Sequence, residues 1–171
     1  MRRPVGLISG LLALALLAAG CTLAQGSDSS PSAAPPESRV GLGGTMTLDA
    51  QEVAPGAGSA SIDIRLPEGW HVNVDAPPFQ ATWTVDGKVV QIDAANQALQ
   101  VYDPQFPLSV PVTLADGSAQ PQVELVLYYC NDDKTICTID RRTVVAPLIV
   151  SGDASASDFT IAYTIVPPQA P

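Results

Sequence analysis

An all-β fold, a β-sandwich of immunoglobulin-like type with about eight to ten short strands, is what three observations predict. Apolar and polar residues alternate with a period of two between residues 40 and 166, and no stretch there sustains helical periodicity. Sixteen prolines and thirteen glycines in 171 residues punctuate the chain at short intervals, which favours turns over long helices. At 46% hydrophobic and 15% charged, the chain also has the apolar content for a core.

The first twenty residues have the three parts of an export signal. Arg2 and Arg3 give the positive end, Val5 to Ala19 is almost wholly apolar, and small residues precede Cys21. The apolar run falls short of the roughly 20 residues a spanning helix needs. The ending Leu17-Ala18-Ala19-Gly20-Cys21 resembles a bacterial lipobox, with Ala18 where leucine is commoner. That resemblance implies that Cys21 is acylated and becomes the mature N-terminus, a lipid anchor on the membrane. Several acyl chains would hold firmly, since each buried methylene contributes about 0.8 kcal/mol. The other reading of Cys21 is a free thiol left by an ordinary signal peptide. Residues 21–39 are then a tether of Ser, Ala, Pro and Gly, too poor in apolar groups to fold. Residues 167–171 form a Pro-rich tail, so the domain spans 40–166.

Within it the strands follow in order. Thr45 to Ala50 comes first. In Ala60 to Leu66 the even positions are apolar and the odd ones polar. His71–Val74, Gln80–Val85 and Lys88–Ile92 follow, and Asp86-Gly87 between the last two reads as a two-residue hairpin turn. Asn96–Leu99 suits a short helical turn. Ser109–Leu114 is a strand, and Asp116-Gly117, like Pro55-Gly56 upstream, marks a turn. Val123, Leu125, Leu127 and Tyr129 share one face of the next run. Thr143–Val150 and Phe159–Ile165 complete the set, and no internal repeat is present.

Residues 127–140 carry two of the three cysteines, Cys130 and Cys137, on the arms of a predicted hairpin. A turn centred on Asp132 to Thr135 sets the cysteines opposite each other. Facing Cα atoms of an antiparallel pair lie roughly 4.5–5.5 Å apart, within the range a disulfide bridges. Export favours the bond, and lipidation of Cys21 leaves these two as the remaining pair. Such a bond stabilises a fold by about 2.5 kcal/mol on chain entropy, less where a hairpin already aligns its ends. Cys130 falls on the face of Glu124, Val126 and Tyr128, so partial exposure of its sulfur is expected. Asp132, Asp133 and Asp140, against Lys134, Arg141 and Arg142, are expected to disfavour a thiolate. A structural disulfide and a redox-active one both fit. A metal site fits poorly, because six residues separate the thiols, the chain has one histidine, and zinc takes four ligands.

His71 has no nucleophile near it in sequence and reads as a half-buried strand residue. Trp70 reads as core, with cover for the disulfide as its functional alternative. Of Tyr128 and Tyr129, one should pack inward and the other line a docking surface. No calcium loop, phosphate-binding glycine loop or cofactor motif is present. The net charge is −9, and loss of Arg2 and Arg3 would take it to −11. That balance opposes binding to nucleic acid or anionic lipid.

Tyr128-Tyr129-Cys130, a short polar loop and Cys137 resemble the N-terminal periplasmic domain of the DsbD thiol–disulfide interchange family. Leu66-Pro67-Glu68-Gly69-Trp70-His71-Val72-Asn73, continuing to Ala76-Pro77, is similar to a segment of related β-domains. The likeness covers about residues 45–150. It implies an immunoglobulin-like sandwich in which Cys130 and Cys137 are the redox pair, exchanging electrons with thioredoxin-like or DsbD-type proteins. Two departures stand out. One more residue separates the cysteines than in that family, and no Cys-x-x-Cys motif or membrane electron-transfer domain accompanies them. The expected function is a membrane-anchored, extracytoplasmic thiol–disulfide interchange component of the cell envelope. The alternative is a non-catalytic binding or scaffold lipoprotein whose disulfide is purely structural.

Overall fold

The computed structural model describes residues 38–40, as backbone, and 43–168. The expected signal peptide, Cys21 and the tether up to residue 37 lie outside the described residues. The strands, in chain order, are β1 (Ser38–Val40), β2 (Gly44–Thr47), β3 (Gln51–Val53), β4 (Gly56–Arg65), β5 (Trp70–Val72), β6 (Phe79–Thr84) and β7 (Val90–Gln91). After a 3-10 turn at Ala94–Asn96 come β8 (Ala98–Val101), β9 (Leu108–Leu114), β10 (Gly117–Ala119), β11 (Gln122–Asn131), β12 (Cys137–Val145), β13 (Leu148–Val150) and β14 (Phe159–Ile165). The fold is the all-β sandwich that the alternation predicts. Strands outnumber the expectation because prolines and corners cut several runs into short pieces.

One sheet has the order β1-β14-β4-β9-β7, the other β2-β12-β11-β6-β8, and a small third sheet β10-β13-β3. Alternation decides which side of each strand is buried. Ala60, Ile62 and Ile64 of β4 stand beside Phe159, Ile161 and Tyr163 of β14, all buried. Val123, Leu125, Leu127 and Tyr129 form the matching face of β11. The two faces meet in one core, where Trp83 of β6 packs edge-on to Phe159 with centroids 6.3 Å apart.

Four pairings are parallel, which hairpin reasoning does not anticipate: β1 with β14, β2 with β12, β3 with β13, and β4 with β14. β2 and β3 run alongside β12 and β13. Pro147, which has no N–H to give a ladder, separates β12 from β13. The Leu48 N–H bonds to the Val145 carbonyl and the Gln51 N–H to the Pro147 carbonyl, so the N-terminal segment bends at the same place. β1 starts at Ser38, inside the stretch read as tether, and pairs with Tyr163 to Ile165.

Two further expectations are corrected. Asp86-Gly87 does not close a hairpin, because β6 pairs with β8 and β11 while β7 pairs with β9 in the opposite sheet. The Asp86 carboxylate accepts the N–H groups of Lys88, Val89 and Val90, and Gly87 takes φ +68°. The turn is real, but it carries the chain across the sandwich so that Trp83 and Val90 enter the core from opposite sheets. The helical turn lies at Ala94–Asn96, since Leu99 belongs to β8. In β4, Gly58 has a packing reason: a Cβ there would collide with the Ser157 carbonyl as that segment crosses the strand.

Candidate functional site

The site is built on the longest ladder of the second sheet. β11 and β12 pair from Gln122↔Val145 to Cys130↔Cys137. Asn131 closes the hairpin: its N–H donates to the Ile136 carbonyl, its side-chain oxygen accepts the Ile136 N–H, and its amide donates to the Thr135 hydroxyl. Lys134 adopts φ +56° to complete the turn. The Thr135 hydroxyl donates to Asp133 at 2.8 Å, and this bond holds the Asp133 carboxyl below its ordinary pKa. Asx and threonine chemistry thus shapes the loop from residues 132 to 135.

That closure makes Cys130 and Cys137 a non-hydrogen-bonded pair, the closer kind of facing pair. Their Cα atoms are 4.1 Å apart and their sulfurs are bonded. Both lie on the face of Glu124, Val126 and Tyr128, outside the sandwich core. Their exposure differs. Cys130 is 1% exposed, whereas Cys137 is open to solvent. The expected exposure of Cys130 is therefore corrected, and its cause is β5. β5 pairs with Tyr129, Cys130 and Asn131 on the side away from β12, so Cys130 is enclosed between two strands. Cys137 begins β12 next to the loop, and β2 joins β12 only at residues 142–145. Among the described residues no strand covers β12 at Cys137.

β5 also sorts the aromatic and histidine candidates. Trp70 lies opposite Asn131 and packs on Tyr129, with ring centroids 5.4 Å apart and planes at 59°. That is the core-side face, so Trp70 is not a cover over the disulfide. His71 lies opposite Cys130, on the same face as the sulfurs. Its Nδ1 is 3.4 Å from the Asp132 carboxylate, and the Asp132 N–H donates to the Gly69 carbonyl. Tyr129 packs inward and Tyr128 outward, as the alternation requires. Beside the hairpin an open groove of about 520 Å³ is lined by Pro67, Trp70, Ile136, Val166 and Pro167, among others.

The charges are arranged differently from their order in sequence. Asp140 and Arg142 point into the core, 1% and 3% exposed, and pair with each other at 3.0 Å. Asp140 also accepts the Gly43 N–H and the Tyr163 hydroxyl, and the Arg142 guanidinium lies 5.1 Å from the centre of the Tyr163 ring. Burial, and then the Asp140 charge, raise the Tyr163 pKa far above normal. The same two causes push Tyr129 up to about 12. Lys134 pairs with Asp75 at 3.2 Å. The carboxylates of the loop beside the sulfurs are thus Asp132 and Asp133, without Asp140. Sequence reasoning missed the Asp132–His71 contact, which joins positions 61 residues apart, and the buried pair. The period-two pattern contained a signal for the latter, since Asp140 and Arg142 share the face of Val144.

No family model matches the chain, and no curated protein matches it.

Proposed function

We propose that this is a thiol–disulfide exchange domain, held at the extracytoplasmic face of a membrane by a lipid on Cys21, with thioredoxin-fold partners. The observation that carries the reading is the unequal exposure of the two bonded sulfur residues, Cys137 open and Cys130 buried. Exchange requires in-line access to one sulfur and a second sulfur able to leave and return. A partner thiolate attacks Cys137 Sγ, a mixed disulfide forms there, and Cys130 leaves. In the reverse direction Cys130 resolves the mixed disulfide. As a staple the bond adds little, because β11 and β12 are already paired along their whole length. The resemblance of Tyr128-Tyr129-Cys130 and Cys137 to the DsbD N-terminal domain supports the same chemistry. The groove beside Ile136 gives an apolar flank against which a partner can seat.

Two measurements test the proposal. The reduction potential should lie near −200 mV, and a value below about −300 mV would mark a bond that thiol pools do not open. Trapping should follow exposure. Cys130→Ala leaves Cys137 to hold a stable mixed disulfide with a thioredoxin-fold protein, while Cys137→Ala leaves only an enclosed thiol and traps poorly. Equal trapping by both variants, or by neither, would sink the reading.

A further inference from the structure

We infer that His71 is the acid–base partner of Cys130: it protonates that sulfur as the disulfide opens and deprotonates it as the disulfide re-forms. This rests on the exchange reading above. Register supplies the geometry. Cys137 lies opposite Cys130 on one side and His71 on the other, so three side chains form a single row across β12, β11 and β5 on the outer face. The Asn73 N–H donates to the Tyr128 carbonyl and the Asp132 N–H to the Gly69 carbonyl, two residues to either side of Cys130. By that alternation Cys130 and His71 are a hydrogen-bonded pair, with Cβ atoms about 4.5–5.5 Å apart. An imidazole spans such a gap. Its Nδ1 is turned to Asp132 at 3.4 Å, which leaves Nε2 for the sulfur. The Asp132 backbone is itself tied to Gly69, the residue that leads into β5.

The two cysteines have unequal need of such a group. Cys137 is exposed and exchanges its proton with water. Cys130, 1% exposed, has little water to solvate a departing thiolate, and burial disfavours that charge. In reduction, a thiolate of a partner dithiol attacks Cys137 Sγ and the partner–Cys137 bond forms. The Cys130–Cys137 bond breaks, and its electron pair passes to Cys130 Sγ. The imidazolium Nε2–H then gives its proton, leaving a Cys130 thiol and a neutral imidazole. The partner's second thiolate attacks its own first sulfur and releases Cys137. Oxidation by a partner disulfide runs the same steps backward, with neutral His71 taking the Cys130 proton.

On this face the titratable groups nearest His71 are Asp132 from the hairpin loop and Tyr128 from β11, with Glu124 of β11 and Arg141 of β12 farther along it. Glu68 and the Lys134–Asp75 pair lie on flanking loops. The test is stopped-flow reduction of the full domain by dithiothreitol from pH 5 to 9, each rate divided by the reagent's thiolate fraction. In the unmodified protein the corrected rate should fall as rising pH takes the proton from the imidazole. His71→Gln should flatten the profile and slow reduction at pH 6 by about 10- to 100-fold, with partial rescue by added imidazole. Asp132→Asn keeps the ring but removes the carboxylate that faces Nδ1, and should slow reduction at pH 6. This arm stands even if the His71 variant misfolds. Coincident profiles for the unmodified protein and His71→Gln, or an unchanged rate at pH 6 in Asp132→Asn, would overturn the role of His71 while leaving exchange intact. A disulfide that resists dithiothreitol in every form until the domain is unfolded would overturn exchange itself, and this inference with it.

Discussion

Tyr129 packs under Trp70, beside the buried Asp140–Arg142 pair, and its hydroxyl has no hydrogen-bond partner among the described residues. A buried hydroxyl without a partner costs about 1–3 kcal/mol, so Tyr129→Phe should stabilise the domain by roughly 1 kcal/mol in denaturant unfolding. The same residue has a pH signature. Burial and the Asp140 charge raise its pKa from 10.0 to about 12. Between those values the unfolded state loses the proton while the folded state keeps it. Stability should therefore be full below pH 10 and fall as pH rises towards 12. Tyr129→Phe should make that alkaline decline shallower, and Tyr163, raised for the same reasons, should retain part of it. An unchanged slope from pH 9 to 12 would mean that the Tyr129 hydroxyl is not enclosed in this way.

The ends of strands are where sequence and structure part. β14 runs over the residues that alternation assigns it, and β9 differs from its expected range by one residue, because one buried side per strand fixes register. The Asp86-Gly87 turn has the chemistry of a hairpin, yet local residues do not say which strand a turn delivers the chain to. Burial of Trp83 and Val90 decides that. β12 holds the sharpest case. Its outward face bears Cys137, while Asp140 and Arg142, in the same strand, face the core. Read as a charge list, both flank the thiols; read by period two, they face away. Buried pairs are weak stabilisers as pairs but costly to break singly. Asp140→Ala should lose about 3–5 kcal/mol by leaving Arg142 charged in the core and Gly43 without its carboxylate. An Asp140→Leu, Arg142→Met double variant should recover most of that loss. Chemical denaturation of the three proteins checks it, and a single variant near neutral would mean the pair is not enclosed as described.

Across the whole molecule, local pattern reveals the sandwich and the cysteine hairpin, and long-range register supplies the rest. No pattern within residues 44–53 announces that β2 and β3 run parallel to β12 and β13, since parallel neighbours share no turn. The enclosure of Cys130 likewise depends on β5, some sixty residues upstream and joined to it only by register. This distribution of contacts has a consequence for exchange. A relay domain must remain folded in both redox states, and here the disulfide closes a loop whose ends the β11–β12 ladder, the β5 pairing and the Asn131 closure already fix. Reduction should therefore cost less than the about 2.5 kcal/mol of the chain-entropy estimate. Guanidinium unfolding of the oxidised protein and of the dithiol form should give equal m-values, and the difference in midpoint multiplied by m should be no more than this. Amide exchange should open only the Asn131–Ile136 end of the hairpin. A dithiol form that loses its protected core would assign the bond to structure, because a bond that the fold cannot do without is not one that a partner can open and leave behind.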